Sequence, residues 1–259
     1  TETGEPWTPR NAGSSRVGEV VTLRWGLANS NNWISAYVMS HFSPYTFVRL
    51  MRSYGLNGQI DPVVSLCVGT CDATVAEMVS AYTAFVNRGI RVQPVLVTHI
   101  EDKDGNALAH FSPQMAEVFS ESTAYKMLSM LRAVIDGGTG SRVRYRFNVQ
   151  GQIGGKTGTT QNNSDGWFMG ITPRLVGGVW VGGEDRDIHF DYTNEGQGAN
   201  MALPIWARFM NKVHANPELG VSPNDVFSVP PGHTYSCTAS DSSGLSTGNE
   251  PSGSVFDNL

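Results

Sequence analysis

Three extended runs follow one another closely between residues 152 and 183: QIGGKTGTT, DGWFMGIT and RLVGGVWVGG. A tight turn at Thr172-Pro173 joins the last two. Neighbours connected this briefly pair antiparallel, because a parallel partner needs a crossover of roughly a dozen residues. The first run is also unusual in itself. Gly151, Gly154 and Gly155 precede Lys156, and Gly158 follows it. A strand that gives up so many side chains around one lysine needs a reason.

Helical patterns flank these runs. In DATVAEMVSAYTAFVNRG, Thr74 and Glu77 have the spacing of a capping box, and Val75, Met78, Val79, Tyr82, Phe85 and Val86 share a face. Gly89 stands where a helix-terminating glycine belongs. STAYKMLSMLRAVIDGG turns Leu128, Leu131, Val134 and Ile135 inward, and NMALPIWARFMNKVH does so with Ile205, Trp206, Phe209, Met210 and Val213. VTLRWGLANSNNWISAYVMSHF is helical but broken by the polar cluster NSNN. VQPVLVTHIEDKDGNALAHF reads as a hairpin turning at Asp104-Gly105. Arg142, Arg144 and Arg146 alternate as on a solvated strand face, Asp165 fits a turn or a partner for Lys156, and Trp167 and Trp180 fit a sheet core. The expected fold is α/β of the α+β type, an antiparallel sheet flanked by helices. Beyond about Val229 the composition turns to Ser, Gly, Thr and Asp, as in a loosely ordered tail over 230–259.

Composition removes several classes of function. A net charge of -5 over 259 residues is not a nucleic-acid surface. No apolar run approaches the roughly 18 residues of a membrane span. Cys67 and Cys71, in LCVGTC, match neither a zinc knuckle nor a redox C-x-x-C; free thiols or a local bridge both remain open. With Cys237 the only other cysteine, no metal site is expected.

Three readings compete for the glycine-rich lysine. A phosphate loop needs G-x-x-x-x-G-K-[ST] and a helix directly after it, but Gln150 takes the first glycine position and TTQNNSDGWF reads as turn and strand. An ordinary strand would use the glycines for a bulge or for close packing of a helix. A peptide-binding edge would use them to let an extended substrate lie along the strand, with Lys156, Thr157, Thr159 and Thr160 near a carboxylate and a reacting carbonyl.

Lys156-Thr157-Gly158, with TTQNNSDGWFMGITPRLVGGVWVGG after it, closely resembles the penicillin-binding protein transpeptidases, especially the bifunctional class A kind. TLRWGLANSNN resembles their S-x-N segment, with Ser30 and Asn32 in the matching positions. LCVGTCDATVAEMVSAYTAFVNRG, the GGTG of residues 137–140 and WTPRN also look like the family, so the likeness covers about residues 6–230. It implies a partial transpeptidase domain over 1–229, with an S-x-N helical region at about 20–90 and a K-T-G sheet region at about 145–215.

The resemblance also implies roles. Ser30 and Lys156 are the catalytic pair: Ser30 relays protons, and Lys156 supplies positive charge. Asn32 holds the amide of the bound peptide, and Thr157 and Thr159 hold its carboxylate. Gly158 lets the substrate backbone approach, and the Thr159 amide forms half of an oxyanion hole. No cofactor and no metal are implied. The implied partners are peptidoglycan stem peptides ending in D-Ala-D-Ala and the β-lactams; nucleic acid is not among them. The implied setting is extracytoplasmic, the periplasm or the outer face of the cytoplasmic membrane, with a membrane-anchored parent.

One element of the family is missing. Lys103, Lys126, Lys156 and Lys212 are preceded three positions earlier by Ile100, Thr123, Ile153 and Phe209, so there is no S-x-x-K. The family's nucleophilic serine lies upstream of the segment that resembles WTPRN, and the expectation is that the chain is a fragment, inactive alone. Two alternatives stand beside it: a non-catalytic sensor or scaffold domain, and a serine β-lactamase relative. Ser30 and Asn32 also have an alternative use as helix caps. A shared site requires Ser30 and Lys156 to come within direct or one-water reach, about 2.6–3.2 Å per link. It also requires Asn32 to face the same cleft and the strand edge along Gly155 and Gly158 to be open.

Overall fold

The computed structural model describes residues 7–12 and 16–232, so nearly all of the expected tail, with Cys237, lies outside the described residues. The helical region opens with α1 (Leu23–Ala28), α2 (Asn32–Met39) and α3 (Pro44–Ser53). A short 3-10 turn, Val64–Val68, leads to α4 (Val75–Val86). Each helix begins on a side-chain cap: Thr22, Asn31, Ser43 and Thr74 accept from the first turn of α1 to α4 in order. The Thr74–Glu77 capping box forms in both directions. Met39, Leu56, Ile60, Leu66 and Ala81 make a core of their own here.

Next come β1 (Ile90–Val92), the hairpin β2 (His99–Glu101) and β3 (Ala107–His110), and β4 (Met115–Glu117), which returns to pair antiparallel with β1. The hairpin turns as expected: Asp102 accepts from the amides of Asp104 and Asn106, and Gly105 adopts φ +81°. The long α5 (Glu121–Gly137) follows, then α6 (Arg142–Tyr145).

The sheet that organises the site is antiparallel, in the order β5 (Gly154–Thr159), β6 (Asp165–Ile171), β7 (Val176–Gly182). It is followed by α7 (Thr193–Gly196), α8 (Gly198–Met201) and α9 (Leu203–His214). Side chains alternate across a strand, and the two faces meet different helices. On one face Trp206 of α9 lies so close that a methyl group at Gly170 would sit 2.2 Å from its ring. Phe168 meets Trp206 edge-on at 5.2 Å, and both are sealed from solvent with Ile153, Leu203, Ala207 and Met210. On the other face Gly178 meets Val79 of α4, and Gly154 meets Leu131 of α5.

Several local expectations need correction. Arg142 and Arg144 belong to the short helix α6, with Arg146 as its C-cap, rather than to a strand. Arg144 is not merely solvated: it donates to the carbonyls of Val149 and Gly151 at 2.7 Å each, bracing the approach to β5. Helix α9 buries Leu203, Trp206, Ala207, Met210 and Val213, leaving Ile205 and Phe209 half exposed, at 52% and 49%. Trp180 is 40% exposed and donates to Asp165 at 2.8 Å. Of the two readings left open for Cys67 and Cys71, the structure has the free thiols.

Candidate active site

The NSNN cluster breaks the helical run by a specific division of labour. Asn31 caps α2, accepting from the amide of Ile34 at 3.1 Å. Its neighbours are therefore not needed for capping. Ser30 takes a left-handed conformation, φ +53°, which a side chain other than glycine adopts only at a cost. That bend projects its hydroxyl across the molecule. The Ser30 Oγ accepts a hydrogen bond from Lys156 Nζ at 2.8 Å, joining positions 126 apart in sequence.

Asn32 is the first residue of α2 and is bound to the N-terminal segment. Its side-chain amide donates to the Arg10 carbonyl at 2.6 Å, and its backbone amide donates to Asn11 Oδ1 at 2.7 Å. Trp33 adds a bond from its indole to the Pro9 carbonyl at 2.8 Å. The WTPRN segment thus straps the start of α2 in place.

Lys156 stands on β5 opposite Met169, on the face of the sheet that meets α4 and α5 rather than α9. Burial pushes its ammonium down from the usual 10.5 to about 8. Two of its three N–H groups are used, one on Ser30 and one on the Thr157 carbonyl at 2.8 Å. The third has no protein acceptor among the described residues. Asp165 is not its partner: that carboxylate takes Trp180 and the Ser164 hydroxyl.

Strand β5 has a neighbour on one side only. Thr160 N–H donates to the Asp165 carbonyl at 3.1 Å, and in an antiparallel ladder bonding alternates residue by residue. The amides of Thr159, Thr157 and Gly155 are thereby directed away from β6; of these residues only Thr159 is exposed, so the expected open edge holds at the Gly158–Thr159 end and not along the buried Gly155. The glycines, however, are explained in part by packing. A methyl group at Gly155 would meet the Met169 carbonyl at 2.7 Å and Ile135 of α5 at 3.2 Å; at Gly154 it would meet Leu131 at 3.3 Å. These two let α5 close against the strand. Gly158 is opposite Trp167, with its Cβ position 3.0 Å from that of the tryptophan.

The two threonines differ. Thr157 is buried and shares a hydrogen bond with Thr139 at 2.7 Å; Thr159 is exposed, its hydroxyl accepting from the Gly198 amide at 3.0 Å. Thr139 is the residue that sequence reasoning missed. It belongs to the GGTG segment, whose signal was visible but carried no assigned role. Among the described residues no three or more His, Cys, Asp or Glu side chains are grouped to hold a metal ion.

The arrangement can move protons and hold an anion. A lysine of lowered basicity donates to a serine whose own O–H stays available, beside a row of outward amides and hydroxyls.

Comparison with known proteins gives a consistent outcome. The family model described as "Penicillin binding protein transpeptidase domain" matches residues 2–199. Penicillin-binding protein 1A of Aquifex aeolicus is 32% identical over 228 residues, covering 88% of this chain and 30% of that protein. Penicillin-binding protein 1A of Rickettsia conorii is 29% identical over 247 residues, 86% of this chain and again 30% of the relative. The chain therefore spans under a third of the length of these relatives. In fold, it is similar to the crystal structure of penicillin-binding protein 1A from Haemophilus influenzae, with a TM-score of 0.75 at 24% identity, covering 88% of this chain and 38% of that one. The D,D-transpeptidase domain of a peptidoglycan glycosyltransferase from Eggerthella lenta is similar with a TM-score of 0.58 at 22% identity, over 74% of this chain and 54% of that one. The sheet, the S-x-N turn brought to the K-T-G strand, and a family match across most of the sequence lead to one conclusion: the chain belongs to the penicillin-binding protein transpeptidase family.

Proposed function

We propose that this chain supplies the Ser30 turn and the Lys156 strand of a peptidoglycan D,D-transpeptidase site, and that its activity requires a nucleophilic serine from sequence outside these 259 residues. The observation that carries the reading is the 2.8 Å contact between Lys156 Nζ and Ser30 Oγ. A serine set beside that pair would attack the carbonyl of a stem peptide ending in D-Ala-D-Ala. An acyl-enzyme forms, the terminal D-Ala leaves as an amine, and an acceptor amine from a neighbouring strand resolves the ester into a cross-link.

Ser30 lies between lysine and leaving group, accepting from one and free to donate to the other. Lys156 attracts the substrate carboxylate, with Thr157 and Thr159 donating to it. Asn32 holds the peptide's amide through the oxygen and the N–H that Arg10 leaves free. Gly158 admits the peptide backbone, and the outward amide of Thr159 is half of the oxyanion hole. None of these steps draws on a metal or a cofactor. β-Lactams bind as mimics of the peptide, and the working location is extracytoplasmic, in a parent anchored to the membrane.

The reading is tested by fluorescent-penicillin labelling. The 259-residue chain alone forms no covalent adduct, whereas the full-length protein does. In the latter Ser30→Ala or Lys156→Ala lowers the acylation rate by about 100-fold or more, the scale for losing a proton-transfer group. Wild-type rates in both variants would reduce the pair to a structural contact.

A further inference from the structure

Thr157 is the most enclosed polar group of the K-T-G strand, and its hydroxyl is held by a residue from another element. Thr139 follows α5, and its Oγ1 lies 2.7 Å from Thr157 Oγ1. The position of Thr139 is fixed independently of that bond. Its backbone amide donates to the carbonyl of Ala28, the last residue of α1, at 2.9 Å. The approach is possible only because residue 138 is glycine: a methyl group there would sit 2.1 Å from the Ala28 oxygen. Ala28 is two residues before Ser30. Thr139 is therefore fastened by its backbone to the turn that carries Ser30 and by its side chain to the strand that carries Lys156.

We propose that Thr139 is a positioning residue for carboxylate recognition, donating its hydroxyl proton to Thr157 so that the Thr157 O–H is directed at the substrate's terminal carboxylate. The proposal rests on the transpeptidase reading above. Between two hydroxyls alone either can donate, but an ionised carboxylate only accepts. Once it lies against Thr157, the chain has one consistent direction: Thr139 to Thr157 to carboxylate. Hydrogen bonds in such a series polarise and strengthen one another. Without Thr139, the Thr157 hydroxyl loses the donor that commits its own proton outward.

The experiment measures acylation of the full-length protein by a penicillin carrying its free carboxylate and by the methyl ester of the same compound, in wild type, Thr139→Val, Thr139→Ser and Lys156→Ala. Thermal unfolding is followed on each. The near-isosteric Thr139→Val is expected to lower the rate with the free acid by about tenfold, the upper end of the scale for one neutral hydrogen bond. The rate with the ester stays at the wild-type value, so the acid-to-ester preference collapses. Thr139→Ser restores it. An unchanged preference in a folded Thr139→Val protein overturns the assignment, as does an equal loss with acid and ester, which marks a structural role. Lys156→Ala separates the two levels of argument: if it acylates normally the transpeptidase reading fails, whereas its loss beside a normal Thr139→Val sinks only the role of Thr139.

Discussion

Lys156 stands on a strand whose surroundings include Ile153, Phe168 and Ile171, all sealed from solvent, and Trp206 closes the layer behind them. Ser30 stands on an exposed turn, in a left-handed conformation, between two helices that together bury only Gly26, Ala28 and Met39. The strand side is fixed by packing and the turn side by hydrogen bonds to Arg10, Asn11 and Ala28. A charge held in a rigid, desolvated place needs no reorganisation when a substrate arrives. A hydroxyl on a hydrogen-bonded turn can shift by the small distances that proton transfer requires. The contrast teaches where each kind of substitution should act.

The largest effect is expected from breaking the packed side. Trp206→Ala removes the biggest fully buried side chain and leaves Gly170 and Gly177 facing a void. The loss should be about 3–5 kcal/mol in denaturant unfolding. A loss below about 1 kcal/mol would mean the layer behind β5 can collapse, contrary to the comparison.

A second test uses the desolvation of Lys156. Its folded value of about 8 lies below the ordinary 10.5. Between those values the unfolded chain still binds a proton that the native chain has released, so stability contributed by this group rises with pH across that window and is flat below it. Wild type should therefore gain on Lys156→Met as pH is raised from 8 towards 10.5. Parallel stability curves for the two proteins would show that the lysine is solvated.

These tests also mark what the sequence made legible. The helix α4, the Asp104-Gly105 hairpin and the antiparallel β6–β7 turn were readable because their signals are local: a capping box, a turn dipeptide, apolar alternation. Helix α3 went unread although Ser43-Pro44 is a cap followed by proline at the first turn. The face of α9 was misjudged because size stood in for burial. Ile205 and Phe209 look like core, yet small Ala207 is what faces it. Motif likeness gave the pairing of Ser30 with Lys156, which no local signal contains. The reason for Gly154 and Gly155 lay in the ordinary-strand reading, close packing of a helix, although that the helix is α5 is a tertiary fact. Motif likeness did not give Thr139, whose meaning depends on a neighbour 18 positions away.

The smallest expected effect is on the turn side. Ser30→Gly relaxes the left-handed backbone and should raise stability by at most about 1 kcal/mol. The same change removes the hydroxyl next to Lys156, so acylation by the full-length protein should fall while the unfolding midpoint rises. A lowered midpoint would mean that the side-chain contact outweighs the backbone cost.

The open edge of β5 has a second consequence, for solubility. Outward amides that can receive a peptide can equally receive a strand from another copy of the same protein, and unguarded edges are routes to aggregation. Here the template is short, six residues from Gly154 to Thr159, of which only Thr159 is exposed. Three of them are glycines, poor formers of extended structure, and one is a charged lysine. The composition that serves a short, anionic guest is thus also a poor template for long, apolar strands, and the same six positions admit one visitor while discouraging another.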